Sequence, residues 1–160
     1  MPKKKLIIGW FTFTCSEDNT ILFVELLNQY YFTWKDLMEF RHCKVLKSEN
    51  RMGRFDVAFI EGAISTKKEE DELRAIRKNS KKIVAVGACA CTGLPSGQRN
   101  SFAPQMMKGI RPFLEMHGLR DKIVPISSVV KVDDSLPGCP MVPNQFLALL
   151  ERYFTEFGVK

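Results

Sequence analysis

Apolar residues along this chain fall into two regimes: short continuous runs bounded by polar residues or glycine, and longer stretches in which they recur at helical spacing. Lys5 to Thr12 is a run of the first kind, rich in Ile, Trp and Phe, and reads as a strand. Thr20 to Tyr31 follows as a helix, with Ile21, Val24, Leu27 and Asn28 at helical spacing and Leu22, Phe23 and Leu26 widening the apolar face. Phe40 to Leu46 is predicted to be a short second strand, and Asp56 to Ile60 a buried one that ends at Glu61-Gly62. Lys67 to Lys78 reads as a polar-faced helix whose acidic residues come first and basic residues last, which suits the helix dipole. The run from Lys82 to Gly87 is too continuously apolar for a sheet with one wet face, so it predicts a parallel strand covered on both sides. Beyond it, Ala103 to His117 carries helical signals interrupted by Gly109 and Pro112. Lys122 to Ile126 reads as a last strand, and Asn144 to Phe157 as a closing amphipathic helix.

Strands and helices thus alternate, with no internal repeat. The fold class this implies is α/β, a flavodoxin-like doubly wound parallel sheet that collects ligands at the carboxyl ends of its strands. A length of 160 residues with 45% apolar composition is enough for one core, so residues 1–160 are expected to form a single domain.

The net charge of +6 arises from interspersed acidic and basic residues, with no Lys/Arg block interleaved with stacking aromatics, so no nucleic-acid partner is expected. No stretch approaches the roughly 20 apolar residues of a membrane-spanning helix, and direct membrane insertion is not expected. Lys3 to Lys5 precede Leu6-Ile7-Ile8, but that run is too short for a secretory core and breaks at Gly9. Five cysteines without a secretory leader suit a reducing compartment, in which thiols stay free or bind metal; a cytoplasmic location is the expectation.

The candidate chemistry lies in three of those cysteines, each placed where a predicted strand ends. Cys15 lies in Phe13-Thr14-Cys15-Ser16-Glu17-Asp18, Cys89 in Val86-Gly87-Ala88-Cys89-Ala90, and Cys139 in Leu136-Pro137-Gly138-Cys139-Pro140. One buried cysteine alone is more often a small hydrophobe. Three in such contexts, brought to one sheet edge, suggest a shared iron-sulfur cluster. Gly87 and Ala88 allow close approach to a cluster sulfur, while Gly138 with Pro137 and Pro140 restricts the last ligand loop. Cys43 has no such context and reads as structural; Cys91 reads as spectator or ligand. His42 and His117 lack the spacing of a metal pair and are expected at the surface or at a helix end. Gly93-Leu94-Pro95-Ser96-Gly97 lacks the Gly-Lys-Ser/Thr ending of a phosphate loop. Glu17 and Glu61, at strand ends, read as solvated or hydrogen-bonding carboxylates.

These motifs, together with the Phe23-Val24-Glu25-Leu26-Leu27 helix and the segment Phe55-Asp-Val-Ala-Phe-Ile-Glu-Gly-Ala-Ile64, resemble the small subunit of NiFe hydrogenases and the related 20-kDa subunit of respiratory complex I. The resemblance spans nearly the whole chain. In detail it is greatest to the short delta or gamma subunits of sulfhydrogenase-type and cofactor-reducing hydrogenases. It implies a flavodoxin-like domain holding the proximal 4Fe-4S cluster against a NiFe-hydrogenase-like large subunit. Electrons would pass on to a diaphorase or ferredoxin-like subunit, and the chain itself would be a non-catalytic relay in an obligate heteromer. Longer members add a C-terminal region with further clusters, which a sequence ending at Lys160 is not expected to carry.

The first motif departs from the family pattern, which supplies two cysteines as Cys-x-x-Cys or as an adjacent pair. Placing Cys15 in the first slot puts Asp18 in the second, so the implied ligand set is Cys15, Asp18, Cys89 and Cys139. An ungapped alignment on the following helix would instead offer Ser16 and Asn19. Cys91 is a third option, disfavoured because residues two apart on an extended segment face opposite ways. A three-iron cluster or an empty site is the remaining outcome. Two other readings stay open: a structural small-subunit homologue that has lost its cluster, and a flavin- or nucleotide-binding flavodoxin-like module.

Overall fold

The computed structural model describes residues 4–160. Among the described residues there are seven strands, β1 (Leu6–Thr12), β2 (Met38–Cys43), β3 (Phe55–Glu61), β4 (Ile64–Thr66), β5 (Ser80–Val86), β6 (Leu119–Val124) and β7 (Asp134–Leu136), and five α-helices. These are α1 (Asp18–Trp34), α2 (Lys67–Asn79), α3 (Gly87–Thr92), α4 (Pro104–Met116) and α5 (Pro143–Glu156). Five strands form one sheet in the order β2-β1-β3-β5-β7, every pair parallel. Counting only those strands, the order is 2-1-3-4-5, the flavodoxin-like arrangement, with its switch point between β1 and β3. The predicted fold class is therefore the observed one.

Alternation along the central strands divides the core in two. Leu6, Ile8, Trp10, Val57, Phe59, Val84 and Val86 meet α1 and α5, where Phe23, Trp34, Phe146 and Phe154 form an aromatic layer. Ala58, Ile60, Ile83 and Ala85 turn the other way, against Leu73 and Ile76 of α2 and Ala90 of α3. Every residue of β3 is buried, as expected of a parallel strand covered on both faces. Local signals set the helix starts: Thr66 and Glu69 close a capping box on α2, and α4 and α5 each open on proline.

Four elements differ from the sequence reading, the first being β4, a three-residue strand absent from that reading. Residues 119–124 form a strand, but it pairs antiparallel with β4, outside the main sheet. The fifth sheet strand is instead β7, three residues whose extended state depends on pairing with β5. Residues 87–92, read as the end of a strand at Gly87 followed by an extended segment around Cys89 and Cys91, form the short helix α3. Helix α4 runs through Pro112 with Leu114 as its only buried residue; on so exposed a helix, water can satisfy the carbonyl that proline leaves unbonded.

Candidate functional site

The loop after β1 is stitched to the segment after β3. Phe13 N–H donates to the Glu61 carbonyl at 2.8 Å, and Thr14 and Ala63 exchange both backbone bonds at 2.9–3.1 Å. This close approach requires Gly62: its φ is +93°, and a Cβ there would lie 2.7 Å from the Phe13 carbonyl carbon. The Thr14 hydroxyl donates to Glu69 Oε1 at 2.9 Å, tying the same loop to the start of α2. Cys15 follows, half-buried, and its Sγ accepts the Glu17 N–H at 3.3 Å. Glu17 is the one non-glycine residue with positive φ among the described residues, at 62°, and it turns the chain into α1. Asp18 then opens that helix, where its carboxylate suits the dipole.

Gly87, with φ +83°, bends the end of β5 straight into α3, which carries Cys89. Cys89 is buried, with Sγ 3.1 Å from the Ser96 hydroxyl. That hydroxyl donates to the Thr14 carbonyl at 3.2 Å, so it accepts from the Cys89 thiol. The last segment arrives from β7: Gly138 accepts the Ala88 N–H at 2.7 Å, which clamps its loop to α3. Cys139 is exposed, and its thiol donates to Asp18 Oδ2 at 2.9 Å.

All four sequence candidates thus lie on the carboxyl edge of the sheet. Cys139 touches Asp18, and Cys15 and Cys89 share a small apolar cluster with Ala63 and Ile123. Among the described residues, no three His, Cys, Asp or Glu side chains close on one point as they would around a single ion. A four-iron cluster makes a different demand, one ligand on each iron. Three thiols and a carboxylate from separate segments, flanked by glycines at Gly87 and Gly138, by the Glu17 N–H donor and by the Ser96 hydroxyl, are chemically suited to it. Burial, reinforced by the nearby Glu61 and Cys89, pushes the Cys15 thiol up to about 12 against the opposing Glu17 N–H. The hydrogen bond to Asp18 raises the Cys139 thiol. Metal binding would have to displace a proton from each.

The alternatives are placed differently. The Cys91 Sγ points back to the Ala85 carbonyl at 3.7 Å and packs into the α2-side core. It faces away from Cys89 because residues two apart on a helical turn diverge, which replaces the extended-strand argument. Ser16 is exposed, and its hydroxyl donates to Asp18 Oδ1 at 3.2 Å. Asn19 is 3% exposed and its amide is fully engaged within the protein. Cys43 is wholly buried in the opposite core, as its context implied. His42 corrects the sequence reading: it is buried, stacked on Phe11 with ring centroids 4.2 Å apart, and its Nδ1 has no hydrogen-bond partner among the described residues. Pairing of β2 with β1 holds the ring inward against Phe11.

Glu61, at the end of β3, is fully buried beneath the site. One carboxylate oxygen accepts from the backbone N–H and the side-chain amide of Asn19, both at 3.0 Å, and the other accepts from the Thr20 hydroxyl. Of the two sequence readings, a solvated or a hydrogen-bonding glutamate, the structure shows the second. The sequence offers Asn19 only as an alternative ligand and Ser96 only as part of a glycine-rich turn; their hydrogen-bonding roles arise from contacts across the fold that no local pattern shows.

This is a flavodoxin-like 2-1-3-4-5 sheet with thiols from three segments at its carboxyl edge, and the comparisons with known proteins give it a family. The chain belongs to the NADH ubiquinone oxidoreductase 20 Kd subunit family, whose profile matches residues 15–153. Over 134 residues it is 29% identical to the coenzyme F420 hydrogenase subunit gamma of Methanosarcina barkeri, a match covering 79% of this chain and 43% of that protein. Over 139 residues it is 30% identical to the sulfhydrogenase 2 subunit delta of Pyrococcus furiosus, covering 85% and 55% respectively. The chain spans about half the length of such relatives. A subunit in the crystal structure of an NAD+-reducing [NiFe]-hydrogenase in the H2-reduced state shares the fold, with a TM-score of 0.75 at 24% identity, over 92% of this chain and 90% of that one. Among the described residues, no helix is long and apolar enough to cross a membrane.

Proposed function

We propose that this chain is a non-catalytic electron-relay subunit of a NiFe-hydrogenase-type oxidoreductase, with residues 1–160 forming a proximal-cluster domain that holds one 4Fe-4S cluster through Cys15, Asp18, Cys89 and Cys139. The observation that carries the reading is the delivery of these four groups to one sheet edge by the segments after β1, β5 and β7, with the Cys139 thiol on the Asp18 carboxylate at 2.9 Å. Such a cluster, when bound, takes up and releases single electrons. The protein supplies three thiolates and one harder oxygen ligand, and its Glu17 N–H and Ser96 hydroxyl are hydrogen-bonding groups beside the Cys15 and Cys89 sulfurs. Cys139 is exposed, so a partner has to cover this edge to exclude water. We assign that cover to a NiFe-hydrogenase-like large subunit, with onward transfer to a diaphorase or ferredoxin-like subunit in a cytoplasmic complex.

The test is iron and acid-labile sulfide in the anaerobically purified complex. Cys89→Ala and Cys139→Ala should each lower both by about four atoms per chain, whereas Cys91→Ala should not. Equal iron and sulfide in wild type and both variants would overturn the relay reading. It would favour a structural subunit without a cluster, for which the carboxylate of Asp18 in place of a second thiol is the specific argument.

A further inference from the structure

We infer that Asn19 is the positioning residue of this edge: one buried side-chain amide fixes the spacing of the three ligand-bearing segments. The inference rests on the proposed cluster site and adds a residue that binds no metal. Asn19 Oδ1 accepts the N–H of Met141, two residues beyond Cys139, at 2.7 Å. Its Nδ2 donates to Glu61 Oε1 at 3.0 Å and to Asp18 Oδ1 at 3.2 Å. The same amide lies against Gly87, two residues before Cys89, where an added Cβ would sit 2.3 Å from Nδ2. A single group therefore touches the start of α1, the end of β3, the turn into α3 and the Cys139 loop.

The geometry assigns this residue a role that the ligands cannot fill. Two side-chain bonds join α1 to the loop of residues 138–141: Met141 N–H to Asn19, and the Cys139 thiol to Asp18. The second needs the thiol proton, which a ligand cysteine gives up. Once Cys139 and Asp18 serve separate irons, the Asn19 bond is the side-chain link that remains. Asparagine suits the position because it pairs one acceptor with two donors in a short planar group. Aspartate would lose both donors and set a third carboxylate against Glu61 and Asp18. Serine is too short to span the same partners.

The experiment compares the assembled complex carrying wild-type chain, Asn19→Ala, or Ser80→Ala. Ser80 is buried at the opposite end of the sheet, bonded to the Ile76 carbonyl at 2.7 Å, and serves as a control for general destabilisation. Two readouts are followed: hydrogen exchange of the 136–142 peptide, where Pro137 and Pro140 leave few other amides beside Met141, and the rate of iron loss to a chelator, with the cluster EPR spectrum. Asn19→Ala should speed both processes at least about tenfold and change the EPR line shape, while Ser80→Ala lowers the melting temperature without doing so. If Asn19→Ala does not fold, Asn19→Ser is read in the same way. Unchanged exchange in the 136–142 peptide would overturn the inference. So would an unchanged release rate and spectrum in a complex whose Cys89- and Cys139-dependent iron is intact. Absence of that iron from wild type would sink the relay reading alone, and the exchange measurement would still decide the role of Asn19.

Discussion

Removing the Glu61 carboxylate should cost the fold several kcal/mol, whereas neutralising it in place should cost little. The side chain is fully buried and accepts three bonds, from the Asn19 N–H, the Asn19 amide and the Thr20 hydroxyl. Thr20 Oγ1 in turn accepts Trp10 Nε1 at 2.9 Å. Glu61→Ala takes an acceptor from all three donors, leaving the Asn19 N–H and amide only their longer bonds to Asp18 Oδ1 at 3.1 and 3.2 Å, and each weakened or unmade buried bond costs about 1–3 kcal/mol. A water entering the space can recover one or two of them, which brings the expected loss to about 3–5 kcal/mol. For a chain of this length one kcal/mol lowers the melting temperature by about 2–4 °C, so the predicted fall is roughly 6–20 °C. Glu61→Gln keeps an oxygen for Asn19, and the Thr20 hydroxyl can turn to accept the new amide, limiting the loss to about 1.5 kcal/mol. Urea denaturation followed by circular dichroism and by Trp fluorescence measures both variants. Equal losses for Ala and Gln, or a loss below about 1 kcal/mol for Ala, would refute the argument that these three bonds hold the edge together.

Burial, with help from Lys44 and Lys47, lowers the His42 pKa below its usual 6.5, so below that value the unfolded chain binds a proton that the folded chain resists. The stability this group contributes is present above the unfolded pKa and is lost as pH falls from there through the folded one; His42→Phe should flatten that slope in denaturation midpoints taken on either side of about pH 6.5. Gly138 has φ +120°, and a Cβ there would lie 2.5 Å from the Pro140 carbonyl oxygen, so Gly138→Ala should cost about 1–3 kcal/mol in urea denaturation and reduce iron content through the displaced Cys139. Cys91→Ala should cost about 1 kcal/mol by the same assay and leave iron content unchanged, since its Sγ faces the α2-side core; loss of iron would make it a ligand.

The central strands were legible because two-sided burial writes itself as uninterrupted apolar sequence: β1, β3 and β5 carry such runs, and every residue of β3 is buried. The edges were not. Asp134-Ser135-Leu136 has neither the length nor the pattern of a strand, and only pairing with β5 makes it one. Residues 119–124 have strand character, but nothing local to them specifies β4 as their partner. His42, expected at the surface or at a helix end, is buried for a related reason: what covers it is the Phe11 ring on the adjacent strand, which nothing local to it specifies.

The same division runs through the site. Cysteines declare themselves by chemistry, and knowledge of the sheet order is enough to bring Cys15, Cys89 and Cys139 to one edge. What orients them lies in residues that are ordinary as sequence: Glu61 and Asn19 meet across 42 positions, Ser96 and Thr14 across 82, and Asn19 and Met141 across 122. A site assembled from three loops is no more exact than the contacts that fix those loops to one another. Here the contacts are hydrogen bonds, most of them buried or half-buried, to Asn19, Glu61, Ser96 and Glu69, none of which has a free thiol to offer. Sensitivity to substitution should therefore spread beyond the ligands along this polar layer and fade toward the amino ends of the strands, where Ser80 and Asp56 bear on stability alone.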